Sequence, residues 1–195
     1  MRLLSLSLPR ALGAATIALT TLAASAPTEA APITMTGKFQ AEAVGATGDG
    51  SVRYEYDSTL KTLSIAARFS GLSGLTTVAH IHCCTALPLT GTAGVATQVP
   101  TFVGFPTNVT SGKFKTTLNL ADASSWNAAF ITSSGGTTAA AETRLLNNLE
   151  SGQAYFNIHT STFRGGEIRA FVPEPGTMAL LGTALAGLLV RRRRS

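Results

Sequence analysis

Residues 62–70 read Thr62-Leu63-Ser64-Ile65-Ala66-Ala67-Arg68-Phe69-Ser70, with Leu63, Ile65, Ala67 and Phe69 alternating with Thr62, Ser64, Ala66 and Arg68. Successive side chains of a strand point to opposite faces, so a period of two gives one buried apolar face and one polar face. The same pattern returns at residues 113–120, where Phe114, Thr116, Leu118 and Leu120 alternate with Lys113, Lys115, Thr117 and Asn119. Further strand candidates lie at 37–44, 52–56, 75–82, 153–160 and 167–172. Glycines such as Gly71, Gly74, Gly112 and Gly152 punctuate them, and Asp57-Ser58-Thr59 forms a tight turn between two of them. Several short strands separated by turn signals predict a mainly β fold, an antiparallel β-sandwich. Between residues 121 and 151 the sequence becomes Ala-rich. Asp122 or Ser124 offers an N-cap ahead of a helical run at 125–131, and a second run at 138–150 carries Leu145, Leu146 and Leu149 at helical spacing. A short helical insertion over about residues 122–151 is therefore expected. Residues 85–111 are rich in Gly, Pro and Thr and match no element. A segment that long inside a compact domain is a functional surface loop or an element that pattern does not reveal.

The 195 residues carry 15 Lys+Arg against 10 Asp+Glu, a formal net charge of +5. Such a balance suggests nucleic acid or a membrane surface as a partner, but only if the charge belongs to the folded domain. Six basic residues sit at the ends: Arg2, Arg10, Arg191, Arg192, Arg193 and Arg194. Residues 31–172 hold nine basic and eight acidic residues, about +1, and no nucleic-acid partner is expected.

The two ends read as addresses. Residues 1–30 begin with Arg2 and Arg10, continue through an apolar run at 11–24 and close on small residues, the layout of a secretory signal peptide, with cleavage favoured after Ala30. Its helix is an export tag flanking the domain. At the other end Pro173-Glu174-Pro175 precedes an apolar stretch at 177–190 and then Arg191, Arg192, Arg193 and Arg194. Fourteen helical residues span roughly 21 Å, short of the roughly 30 Å hydrocarbon core, and the arginines act as a membrane stop that holds the C-terminus inside. Pro-Glu-Pro, a short apolar helix and terminal arginines together resemble the PEP-CTERM sorting signal of exopolysaccharide-producing Gram-negative bacteria. That resemblance implies an inner-membrane intermediate anchored transiently through 177–190. Its partners are the export machinery and an exosortase that recognises Pro173, Glu174 and Pro175. The product goes to the cell surface or extracellular matrix, where exopolysaccharide or other surface proteins are candidate partners. An ordinary C-terminal membrane anchor is the alternative.

All three histidines of the chain lie in two strand-like segments, Ala79-His80-Ile81-His82-Cys83-Cys84 and Tyr155-Phe156-Asn157-Ile158-His159-Thr160. With Ala79 and Ile81 inward, His80, His82 and Cys84 share the opposite face; with Phe156 and Ile158 inward, His159 joins Tyr155 and Asn157. Two imidazoles at i and i+2 suit one metal ion when a neighbouring strand supplies a third. Copper or zinc fits neutral imidazole, and a Cys84 thiolate would complete four ligands. The alternative is a hydrogen-bonded polar cluster in which His82, His159, Glu167 and Arg169 satisfy one another across strands. Cys83 and Cys84 admit three readings: a vicinal disulfide, separate thiols with Cys84 near the histidines, or an intermolecular bond.

The His80-Ile81-His82 segment, Gly91 and Gly94, and the closing run from Gly152 through Thr160 with Gly165-Gly166-Glu167-Ile168-Arg169 resemble the CHRD (chordin-type) domain over about residues 36–172. The resemblance implies an extracellular β-sandwich module without catalytic activity. The chain departs from the family at Cys83-Cys84, where small residues usually follow the histidines. The domain also resembles Cu/Zn superoxide dismutase in joining a sandwich to His-x-His, but three histidines are too few for that enzyme's two-metal site. No other catalytic set is expected. Ser133 and Ser134 lack a Gly-x-Ser-x-Gly frame, the glycine-rich run at 45–50 opens no helix, and Asp49 is alone as a candidate calcium ligand. Asn108-Val109-Thr110 marks an exposed loop, and Trp126 reads as a core aromatic. The division expected is thus a signal peptide (1–30), a CHRD-like domain (31–172) and a sorting segment (173–195). The function expected is a non-enzymatic surface or matrix module, with extracytoplasmic copper or zinc binding as the alternative.

Overall fold

The computed structural model describes residues 31–172, so the two terminal helices expected from the sequence lie outside the described residues. Within them the chain forms β1 (Ile33–Ala41), β2 (Asp49–Asp57), β3 (Thr62–Ser70), β4 (Thr76–Cys83), β5 (Gly112–Asn119), β6 (Ala154–Thr160) and β7 (Ile168–Phe171). They make one sheet in the order β4-β6-β7-β1-β2-β3-β5, antiparallel throughout. Strand β1 serves two halves: its residues Ile33 to Phe39 pair with β2, while Gln40 and Ala41 pair with β7. At that handover the sheet curls, and its two halves face each other like the layers of a sandwich, in line with the expected fold.

The alternation read from the sequence sets the inner surface. Leu63, Ile65, Ala67 and Phe69 of β3 are buried beside Phe114 and Leu118 of β5, to which their strand is hydrogen-bonded. From the opposite half, Phe156 of β6 meets Phe39 of β1 at 5.7 Å between ring centroids, Phe102 at 5.4 Å and Phe114 at 6.5 Å. These edge-on and offset contacts are how aromatic quadrupoles pack favourably, and they join both halves across the core. Two strands and a loop thus converge on one ring.

The helical insertion is present, with one boundary shifted. Asp122 caps a single 3-10 turn at Ala123–Ser125, and helix α1 (Ala128–Ser133) begins only at Asn127, whose side chain accepts from the Ala129 N–H. The expected run at 125–131 thus starts later, because the second cap intervenes. Helix α2 (Thr138–Glu150), capped by Thr137, buries Ala141, Leu145 and Leu149. Its Glu142 accepts from the Tyr56 hydroxyl and lies 3.3 Å from Lys61 Nζ, which fixes the helix to the β2–β3 end of the sheet. Trp126 is buried, stacks on Phe130 and donates its indole N–H to Leu120 O, a core role.

The segment between β4 and β5, which matches no element in the sequence, runs along the outer edge of β4. Cys83 N–H donates to Gly94 O, Ala96 N–H to Ile81 O and Phe102 N–H to Ala79 O, while Thr97 and Thr101 accept from Ile81 and Ala79. An exposed edge strand is a template for unwanted pairing, and here the chain covers it itself. The turn chemistry is irregular because these bonds follow another strand's needs, not a period of the segment's own. Truncating Phe156 to Ala should cost about 3–5 kcal/mol, the range for removing a buried aromatic. Chemical denaturation of wild type and F156A checks this, with a loss below 1 kcal/mol speaking against a shared aromatic core.

A candidate metal centre on the outer face of β4 and β6

Strand β4 buries Ala79 and Ile81 against the core, so the alternation turns His80 and His82 to the other face. Its neighbour β6 does the same with Phe156 and Ile158, leaving Tyr155, Asn157 and His159 outward. The register sets His80 opposite Asn157 and His82 opposite Tyr155, with His159 opposite Val78 and therefore diagonal to His80. All three imidazoles meet. Their ring centroids form a nearly equilateral triangle with sides of 5.5, 5.6 and 5.7 Å, and one ligand nitrogen from each lies within 4.8 Å of the others. Tetrahedral coordination at metal–nitrogen bonds of 2.0–2.1 Å needs separations of about 3.4 Å.

Each ring is held through its other nitrogen by a backbone carbonyl. His80 Nε2 lies 2.6 Å from Pro100 O, His82 Nδ1 2.8 Å from Ala93 O, and His159 Nδ1 2.8 Å from Arg164 O. A carbonyl only accepts, so the proton of each neutral imidazole sits on the bonded nitrogen and the remaining nitrogen carries a lone pair. Those remaining atoms, His80 Nδ1, His82 Nε2 and His159 Nε2, are buried and have no hydrogen-bond partner among the described residues. A ligand histidine whose far N–H is fixed by a carbonyl is the usual arrangement around a bound metal. Tyr155 stacks on His82 at 5.1 Å with its ring 8° from parallel, and accepts from Ala93 N–H, which steadies the loop that holds His82.

Burial is the main cause that lowers all three histidine pKa values. His80 falls to about 4, with Pro100 O opposing the shift and the neighbouring His159 and His82 adding to it. His82 and His159 are lowered in the same sense, against the pull of Ala93 O and Arg164 O. At neutral pH the cluster is uncharged and its three lone pairs are available, the form a metal requires.

Cys84 does not join the set. It is disulfide-bonded to Cys83 across a cis peptide, so the thiolate considered as a fourth ligand does not exist in this state. Nor does the alternative cluster of His82, His159, Glu167 and Arg169 form. Glu167 instead accepts from Ser73 N–H and Oγ, Gly74 N–H and Thr160 Oγ1. Burial alone would push its carboxyl up, but these bonds outweigh that and hold it below the usual range. Arg169 donates to Gly91 O, approaches Glu42 at 3.5 Å and lies over Tyr155 and Phe171. Ala93, Pro100 and Arg164 carry no sequence signal, since they act through carbonyls that every residue has. Gly166, at φ 131°, lies where a Cβ would collide with Asn157 and Glu42, and so lets the β6–β7 turn close over the site.

The CHRD domain family model matches residues 31–172, the whole of the described fold. The chain belongs to the CHRD domain family. A PEP-CTERM protein-sorting motif matches residues 171–194 and marks the chain as exported and surface-sorted in the Gram-negative manner, with an exosortase as its processing partner. No curated protein and no solved structure matches the chain. CHRD is a family of non-enzymatic modules. In this member Gly91 and Gly94, which carry part of the family pattern, belong to the loop over β4 and accept from Arg169 and Cys83 through their carbonyls.

Because the folded histidines have pKa values below 6.5, the unfolded chain binds more protons as pH falls, and the metal-free fold loses stability across the window from about 6.5 down to about 4. Melting temperatures of the metal-free protein should fall through this window, and H80A/H82A should flatten the profile. Equal slopes in the two proteins would contradict neutral, buried imidazoles. Glu167→Gln weakens charge-assisted bonds worth about 1.5–3 kcal/mol each and should lower stability at pH 7 by about 2 kcal/mol, measured by denaturant unfolding.

Proposed function

We propose that this CHRD protein is an exported module of the cell surface or exopolysaccharide matrix that holds one copper or zinc ion on His80, His82 and His159. The observation that carries the reading is the set of three buried, unpartnered imidazole nitrogens that face one another, each ring fixed from behind by a carbonyl. A polar cluster kept for stability alone would have its nitrogens paired, because a buried acceptor without a partner costs about 1–3 kcal/mol. Three neutral nitrogen donors suit zinc and copper and leave room for a further ligand. Calcium and magnesium are disfavoured, since both prefer oxygen.

Signal peptide and sorting segment supply the delivery. Export through the inner membrane, transient anchoring by 177–190, recognition of Pro173, Glu174 and Pro175 by the exosortase and release toward the surface form the proposed route. There the module sequesters or presents the metal and has no catalytic set of its own. An oxidising location also agrees with the Cys83–Cys84 bond.

Copper and zinc titrations of the mature protein should reach one equivalent, monitored by calorimetry and by elemental analysis after dialysis. H80A/H82A and H159A remove ligands themselves and should each lower affinity by more than the roughly 10–100-fold that altering a ligand's outer-shell partner costs. Retention of one tightly held ion in all variants, or no uptake by the wild type, would overturn the metal reading and leave the exported module alone.

A further inference from the structure

The polar side of the β1-β2-β3-β5 half-sheet is a second built surface, and nothing in the metal centre uses it. Register across four strands aligns Lys38, Ser51, Arg68 and Lys113 in one row and Thr36, Arg53, Ala66 and Lys115 in the next. All five cations are exposed. These two rows hold five of the nine basic residues of residues 31–172 and no acidic one, whereas the remainder holds four basic against all eight acidic residues. With Asp49, Glu55 and Asp57 of β2 included, this face carries five basic against three acidic residues, a modest cationic excess. Asp49 and Glu55 border the rows, the first accepting from Ser70 and the second paired with Arg53 at 2.5 Å. Lys38, Arg68, Lys113 and Lys115 have no ion pair among the described residues.

Shape and chemistry narrow the partner. Open grooves run along both rows, the first lined by Lys38, Asp49, Ser51, Arg68 and Lys113, the second by Arg53, Glu55, Ser64, Lys115 and Thr117. Four strands at about 4.8 Å spacing make each row about 15 Å long, enough for several repeats of a chain and too long for a single small anion. Between the cations stand hydroxyls from Thr34, Thr36, Ser51, Ser64 and Thr117, which can exchange hydrogen bonds with sugar hydroxyls. No aromatic ring faces outward from these rows to stack a nucleic-acid base, and no large apolar side chain to enter a lipid boundary.

We propose that this face binds an extended anionic polysaccharide whose carboxylates repeat along the chain. The lysines and arginines pair with successive carboxylates, and the hydroxyl rows set the sugar orientation. This rests on export to the surface but not on the metal centre, which lies on the other half of the sheet.

Alginate, a polyuronate, and neutral dextran serve as probes for the mature protein, with metal content measured in the same samples. Alginate should bind, dextran should not, and binding should fall steeply between low and physiological salt, because exposed charges are screened. R68Q/K113Q should weaken alginate binding by at least about tenfold. The charge-matched control K61Q/R144Q should retain it, R68Q/K113Q should keep wild-type melting, and both variants should keep metal uptake. Equal binding to dextran, equal loss in the two double variants, or tighter binding to duplex DNA or anionic phospholipid vesicles than to alginate would each overturn the proposal. Loss of metal uptake in H80A/H82A with alginate binding intact would separate this face from the metal reading.

Discussion

Strand β1 belongs to both halves of the sheet, and the curl that this forces organises the molecule. Seven residues pair with β2 and the last two with β7, so one strand sets the relative placement of β2-β3-β5 and β7-β6-β4. Gly37 sits on β1 where a Cβ would strike the backbone of Phe171, so the bend needs a residue without one. Once the halves face each other, their apolar sides have one place to go. Phe39, Phe114 and Phe156 meet there, and every polar side is turned outward. The candidate metal centre and the cationic face follow from this division, one on each outer side.

The two outer sides then part ways. That of β1-β2-β3-β5 stays open and carries the cations, whereas that of β4-β6 is roofed by the segment between β4 and β5 and by the turn after β6. The contrast explains why β6 is buried along its whole length and why His80, His82 and His159 are 5–9% exposed despite facing away from the core. Roofing polar residues requires partners for them. Carbonyls of Ala93, Pro100 and Arg164 answer one nitrogen of each ring, and the remaining ones are three of the six buried side-chain nitrogen or oxygen atoms left without a partner among the described residues. Such a concentration of unpaired acceptors in one place is unfavourable unless something with positive charge sits among them.

What was legible in the sequence was what obeys a period. Alternation at 62–70 and 113–120 placed β3 and β5, helical spacing placed α2, and the position of Ala79, Ile81, Phe156 and Ile158 fixed which way the histidines point. The adjacency of β4 and β6, about 70 residues apart in the chain, is a long-range pairing that no local pattern encodes. The same holds for the segment at 84–111, whose conformation is dictated by the edge of β4. The cap at Asn127 is hidden in the sequence because Asp122 and Ser124 offer the same chemistry earlier in the chain. The cation rows were hidden for a different reason: Lys38, Arg68 and Lys113 are scattered in sequence, and only the register of four strands collects them.

The cysteines show how a local constraint reassigns chemistry. In a regular strand Cys84 would share the face of His80 and His82, and its thiolate would be a natural fourth ligand. Strand β4 ends at Cys83, however, and the bond between the adjacent sulfurs takes both out of the donor set. What remains is three neutral nitrogens in a buried pocket, a donor set that adds no negative charge to offset a divalent ion. A site of that kind binds through lone-pair strength and favours late first-row metals over hard cations.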